Sequence, residues 1–176
     1  MDFVFKKHFE IDLAEFDSFF ALLKSGLLPL EYRSYQNQKK LLENESYNIL
    51  FCKHDKNVIG AIAFWYVEDF VFVEHFVVKS ECRNQGLGTK MLEVLSTKLD
   101  AKVILEVELP NSNINSRRIE FYKRNGFCYN DFEYFQPPLN EGDELLELKI
   151  MSKPCALSEE EFQEIRSRLI KAVYKQ

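Results

Sequence analysis

What the sequence lacks narrows the field first. No apolar run approaches the ~20 residues that a membrane-spanning helix requires, so no membrane association is expected. The opening residues, MDFVFKKHFEID, show neither a basic start with an apolar core behind it nor a small-residue cleavage site, so a cytoplasmic location is expected. Cys52, Cys82, Cys128 and Cys155 are scattered without C-x-x-C spacing, which predicts reduced thiols and speaks against a zinc site. Internal repeats, low-complexity tracts and linker-like stretches are absent too. Residues 1–176 are therefore expected to form one domain, with 155–176 a C-terminal amphipathic helix appended to it. The net charge of −5 argues against a nucleic-acid partner and favours a cationic one. What is present is a folding composition, 46% hydrophobic and 14% aromatic.

The stretch from Phe70 to Leu92, FVFVEHFVVKSECRNQGLGTKML, organises the rest. An apolar run interrupted by Glu74 and His75 reads as a buried strand, and Gly86 and Gly88 then open a segment with apolar residues at helical spacing. In such a strand–turn–helix the backbone N–H groups converge and the helix dipole adds positive potential, a device for holding phosphate. The third glycine of a G-x-G-x-x-G fingerprint is missing and antiparallel strands precede the turn, which counts against a dinucleotide site.

Around this stretch the chain reads as alternating strands and helices. Phe3–His8 is a short strand, and Asp12 with Glu15 caps a helix carrying Phe16, Phe19, Phe20 and Leu23 on one face. A second helix is expected over Glu31–Glu43, with Tyr32, Tyr35 and Leu42 facing inward; its aromatics read as core, or else the Leu27–Tyr35 connection borders a substrate pocket. A strand from Tyr47, a turn at His54–Asn57 and a return strand over Val58–Val67 form a hairpin, where Gly60 marks a bulge or a close backbone approach. The helix after the glycine turn presents Leu87, Met91, Leu92 and Leu95, and Val103–Leu109 follows as a strand parallel to the first. A helix over Asn115–Arg124, two further strands and a terminal helix capped by Ser158 and Glu161 complete an α/β (α+β mixed-sheet) pattern.

The segment Asn115-Ser116-Arg117-Arg118-Ile119-Glu120-Phe121-Tyr122-Lys123-Arg124-Asn125-Gly126-Phe127 supplies a second motif. With the Arg83-Asn84-Gln85-Gly86-Leu87-Gly88 turn it resembles the GNAT superfamily of acetyl-CoA-dependent N-acetyltransferases. The turn matches the pattern R-x-x-G-x-G, and the second segment matches Asn, Tyr seven residues on, then Asn-Gly-Phe, with a strand between the two. The resemblance implies a GNAT-like acyltransferase fold, with N-terminal antiparallel strands and a splayed central parallel pair flanked by helices. It also implies main-chain binding of the acetyl-CoA pyrophosphate by Gln85, Gly86, Leu87, Gly88 and Thr89, and pantetheine pairing by Val77 and Val78. Asn115 is implied to hydrogen-bond the cofactor arm, with Arg83 either near a phosphate or solvated. No step requires a metal.

Acetyl transfer to an amine needs a neutral nucleophile, a polarised thioester and a stabilised thiolate. Tyr122 matches the family's tyrosine and is the candidate proton donor to the sulfur, or it packs against the pantetheine. Glu74 is a candidate base, since an acid on an apolar strand is costly unless paired or functional and burial raises its pKa. Glu106, on the next strand, resembles a glutamate that some family members use and is the other candidate. His75 alternates to the opposite face and reads as structural. The loop from Tyr134 to Leu139 serves as an acceptor wall or a rigid spacer. A small cationic amine fits the acidic balance, and direct attack in a ternary complex needs no covalent enzyme intermediate. A protein N-terminus or lysine as acceptor, and a non-catalytic acyl-CoA-binding module, stay open as alternatives, as do monomer and homodimer.

Overall fold

A computed structural model describes residues 1–174; the last two positions of the expected terminal helix lie outside the described residues. Among the described residues the fold is mixed α/β with seven strands. The chain packs as two compact units, one comprising Met1–Tyr66 and Val73–Asp100, the other Val67–Phe72 and the chain from Ala101 on.

In the first unit the strand order is β1 (Asp2–Lys7), β2 (Tyr47–His54), β3 (Asn57–Val67) and β4 (Phe70–Val78), whose first three residues belong to the second unit. β1 and β2 pair antiparallel, as do β2 and β3. The β2–β3 hairpin turns on Asp55 and Lys56, both at positive φ (48° and 68°), the geometry whose twist matches the flanking strands. Ile59 is the extra residue of a bulge, since Cys52 faces Gly60 and Lys53 faces Val58. At Gly60 a Cβ would lie 2.9 Å from Met91 Sδ and 3.3 Å from the Val77 carbonyl, so here glycine permits close approach of helix and strand.

α1 (Leu13–Gly26) starts at the expected capping box, Asp12 accepting from Glu15 N at 2.8 Å while Glu15 accepts from Asp12 N at 3.1 Å. It buries Phe16, Phe19, Leu22 and Leu23. α3 (Leu87–Leu99) buries Leu87, Met91, Leu92 and Leu95, the four positions its spacing predicts. Each such side chain contributes roughly 1.5–3 kcal/mol of burial.

The expected long helix over Glu31–Glu43 does not form. Pro29–Glu31 is a single 3-10 turn, α2 is only Tyr35–Lys40, and Leu41–Glu43 returns to 3-10. Ser34 restarts the chain as an N-cap, accepting from Asn37 N. The buried residues are Arg33, Gln38 and Leu41, whereas Tyr32, Tyr35 and Leu42 are half-buried. Tyr35 instead donates its hydroxyl to Asp17 at 2.6 Å and packs edge-on against Phe20.

In the second unit β7 (Leu146–Lys153) lies between β5 (Lys102–Glu108) and β6 (Cys128–Gln136), antiparallel to both. α4 (Asn113–Arg124) is capped by Ser112 and ends before Gly126, at φ 86°. α5 (Glu159–Leu169) begins at the expected Ser158–Glu161 capping box and buries Phe162, Ile165 and Leu169. Phe162 stacks on Phe132 with ring centroids 4.6 Å apart, so this helix packs in cis. It continues as a π turn, Ile170–Tyr174.

Candidate active site

The glycine turn leads directly into α3. Gly86 sits at the N-cap with φ 75°, no side chain caps the helix, and its first turn carries no acid. The first N–H groups of a helix have no intrahelical partner, so they and the dipole are presented to whatever lies beyond Gly86. A Cβ built on Gly86 meets nothing within 4 Å. These features fit an anionic pyrophosphate. Leu87 is buried through its side chain, which leaves main chain as what it can offer. Gln85 donates its side-chain amide to the Glu81 carbonyl at 3.0 Å and Arg83 donates Nε to the Val78 carbonyl at 2.9 Å, so both side chains brace the turn.

β4 has a half-exposed residue at every second position after Val73, namely Glu74, Phe76 and Val78, with Val77 buried between. The Glu74 side chain is only 1% exposed while the residue as a whole is half-buried, so the exposed atoms are its main chain. Its carboxylate enters a polar cluster. The Arg33 guanidinium donates to Oε1, Trp65 Nε1 donates to Oε2 at 3.1 Å, and His75 Nδ1 lies 3.6 Å from Oε2. Burial raises the Glu74 pKa, but the Arg33 charge and the hydrogen bonds from Arg33 and Trp65 outweigh it, and the net direction is downward. The upward shift expected from burial alone is thus reversed by a cation from the α1–α2 connection. His75 is neutral by the same balance: burial lowers its pKa more than Glu74 restores it. Its Nε2–H therefore donates to the Glu31 carbonyl at 3.0 Å, and Nδ1 has no hydrogen-bond partner among the described residues.

In the second unit, Asn115 uses its amide to hold the β5–α4 connection, donating to the Leu109 carbonyl and to Asn111 Oδ1, each at 3.1 Å. Tyr122 is 7% exposed and lies edge-on to Phe121 and Phe127. Burial pushes its phenol up to about 12, with Arg118 lowering and Glu108 raising it further, so it is a neutral hydroxyl at physiological pH. Arg118 and Glu108 form an ion pair beside it. Glu106 accepts hydrogen bonds from Tyr134 and from Tyr174, the latter at 2.7 Å to Oε1 and 2.8 Å to Oε2. A cavity of about 560 Å³ opens beside α4, between Ile119 and Tyr129, but its lysines, Lys123 and Lys149, are paired with Glu120 and Asp131. Among the described residues no group of three His, Cys, Asp or Glu could hold a metal ion, and no helix is long and apolar enough to cross a membrane.

Sequence reasoning missed Arg33, Trp65, Tyr134 and Tyr174 as partners of the two candidate acids. Only the lone acid in β4 signalled that a cation should be sought for it.

The family model described as "Acetyltransferase (GNAT) family" matches residues 12–127. A solved structure from Bacteroides thetaiotaomicron, assigned to the GNAT family, is 30% identical over 100% of this chain and 99% of that one, with a TM-score of 0.89. The ribosomal-protein-S18-alanine N-acetyltransferase from Escherichia coli shares the fold at 18% identity, covering 90% of this chain and 97% of its own, with a TM-score of 0.65. An aminoglycoside 6'-N-acetyltransferase complexed with coenzyme A does so at 16% identity, covering 85% and 96%, also at 0.65. No curated protein sequence matches significantly. The chain belongs to the GNAT acetyltransferase family and is, by class, an acetyl-CoA-dependent N-acetyltransferase.

Proposed function

We propose that the protein acetylates a primary amine, preferably on a small cationic acceptor, by direct attack within a ternary complex with acetyl-CoA. The observation that carries this reading is the uncapped N-terminus of α3 behind Gly86, free of first-turn acids and open to an anion. The N–H groups from Gln85 to Thr89 would hold the pyrophosphate, and the main chain of Val77 and Val78 the pantetheine; the Val78 carbonyl would have to be shared with Arg83. Acetyl-CoA supplies the activated acyl group.

Deprotonating an alkylammonium of pKa about 10 at neutral pH costs about 4 kcal/mol, so a carboxylate near the acceptor is useful. Glu106 takes that role in this reading. Glu74 is less suited to it, because its side chain is only 1% exposed and is paired with the Arg33 guanidinium, whereas Glu106 is half-buried. As the amine nitrogen attacks the thioester carbon and the C–S bond breaks, negative charge collects on sulfur. A phenol with a pKa of about 12 does not surrender its proton to the thiolate of a thiol near 8.5, so Tyr122 acts as a hydrogen-bond donor to that sulfur. Acceptors named for the structural neighbours, an aminoglycoside and a ribosomal-protein alanine, are both amines.

The test is acetyl-CoA consumption against a panel of amines, with diamines, monoamines and an alanine-terminated peptide side by side. Turnover should be fastest on a small cationic amine. Tyr122→Phe should lower kcat by about ten- to a hundredfold, the value of one hydrogen bond to a charged group, with the KM for acetyl-CoA unchanged. Coenzyme A binding without turnover on any amine, and with no effect of Tyr122→Phe, would instead make the chain a CoA-binding module.

A further inference from the structure

We propose that Tyr134 and Tyr174 are positioning residues that act jointly on Glu106, which makes the C-terminal turn a working part of the acetyl-transfer machinery. This rests on the reading of Glu106 as the carboxylate that meets the acceptor. Three residues far apart in sequence converge here: Glu106 from β5, Tyr134 from β6, and Tyr174 from the π turn that ends α5. A phenol carries one proton and an ionised carboxylate only accepts, so the directions are fixed: both hydroxyls donate. Tyr134 donates to Oε1, and Tyr174 divides its proton between Oε1 and Oε2, at 2.7 and 2.8 Å. Gln136 Nε2 donates in turn to the Tyr174 oxygen at 3.3 Å, extending the chain of donors by one.

The supports of this cluster are specific. Tyr134 is fully buried and edge-on to Phe162 of α5, and Tyr174 is edge-on to Phe72 with centroids 6.4 Å apart. Val173, beside Tyr174, is itself fully buried and anchors the turn. The π turn sets the angular position of Tyr174, since five residues replace the α-helical repeat there. β6 brings Tyr134 to the carboxylate and the C-terminal turn brings Tyr174, while Gln136 of β6 reaches the Tyr174 hydroxyl. Arg166 of α5 acts on Tyr134, while Ile150, opposite on β7, is apolar. A base has to be ionised and aimed before its substrate arrives, and two phenols donating to one carboxylate meet both requirements.

Tyr134→Phe, Tyr174→Phe and the double variant keep the rings and remove only the hydroxyls; thermal melts check that each folds, and the single variants carry the test if the double does not. The acceptor-independent readout is the ¹³C carboxyl resonance of Glu106 in glutamate-labelled protein, assigned by its loss in Glu106→Gln. In each single variant Glu106 should titrate about one unit higher than in the wild type, the effect of losing one hydrogen bond to a charged group, and higher still in the double. On the best amine of the panel, kcat should fall about tenfold per hydroxyl with the KM for acetyl-CoA unchanged. An unchanged Glu106 titration in both Phe variants, with Glu106→Gln impaired, overturns the proposal alone. Wild-type kinetics in Glu106→Gln overturn the reading beneath it as well.

Discussion

Replacing Arg33 by methionine removes the cation that holds Glu74 below the ordinary carboxylate range. The side chains of this pair are 9% and 1% exposed, so water cannot take over from the guanidinium. Trp65 would remain as a donor at 3.1 Å, and neutral His75 offers only a lone pair. Removing one partner of a buried pair costs about 3–5 kcal/mol, because the other charge is stranded. That is a large share of the roughly 5–15 kcal/mol that keeps a domain folded. The double variant Arg33→Met/Glu74→Gln removes both charges and keeps an oxygen for Trp65, so it should lie within about 2 kcal/mol of the wild type. Urea denaturation at neutral pH measures all three chains, with the slope checking two-state behaviour. A cost below about 1 kcal/mol for Arg33→Met would mean that the pair behaves as a solvated surface pair and would refute the argument. So would a double variant no more stable than the single. The same double variant separates two roles for Glu74. As an ion-pair partner it is dispensable once Arg33 is gone, and acetyl transfer should persist. Loss of activity in the well-folded double would return Glu74 to the chemistry.

Two further outcomes follow from the same cluster and from the β3 bulge. The folded-state pKa of His75 lies below 6.5 and that of Glu74 below 4.5, so for both groups the unfolded chain takes up protons first. Their contributions are complete above those values and are lost as pH falls, so the urea midpoint should drop from pH 6.5 downward and drop again below 4.5; His75→Phe should flatten the upper part of that fall. Gly60→Ala puts a Cβ 2.9 Å from the flexible end of Met91 and 3.3 Å from the Val77 carbonyl, which should cost about 1–3 kcal/mol and lower the melting temperature without abolishing folding.

The parts that local chemistry determines were legible in the sequence. Capping pairs mark the starts of α1 and α5, and the apolar spacing of α3 names the four residues it buries. Gly60 announced a bulge or a close approach, and both are present. What local chemistry leaves open was misread. The polar run after Pro29 has enough helix formers to suggest one helix, but the caps and turns around Ser34 break it into short pieces and turn Leu41 rather than Leu42 inward. The strand from Tyr47 was readable, but not that its first six residues are all buried, those on both faces alike. Burial of Glu74 was readable from its apolar neighbours, whereas its partner Arg33, 41 residues earlier, was not. The place of Tyr174 depends on a π turn, which no side-chain periodicity announces.

The turn at Gly86 has a consequence for how such an enzyme is dissected. What it presents to an anion is peptide nitrogen, and every residue but proline carries the same nitrogen. An alanine scan across Gln85–Thr89 would therefore leave the donor groups in place, and what it reported would be strain at Gly86, at φ 75°, or the loss of the buried Leu87 side chain. The substitution that speaks is proline, which deletes a single N–H, and at the first position of a helix it does so with little damage to the backbone. A proline scan through the first turn of α3 would test the N–H groups that the proposed function assigns to the pyrophosphate, to which side-chain deletion is blind.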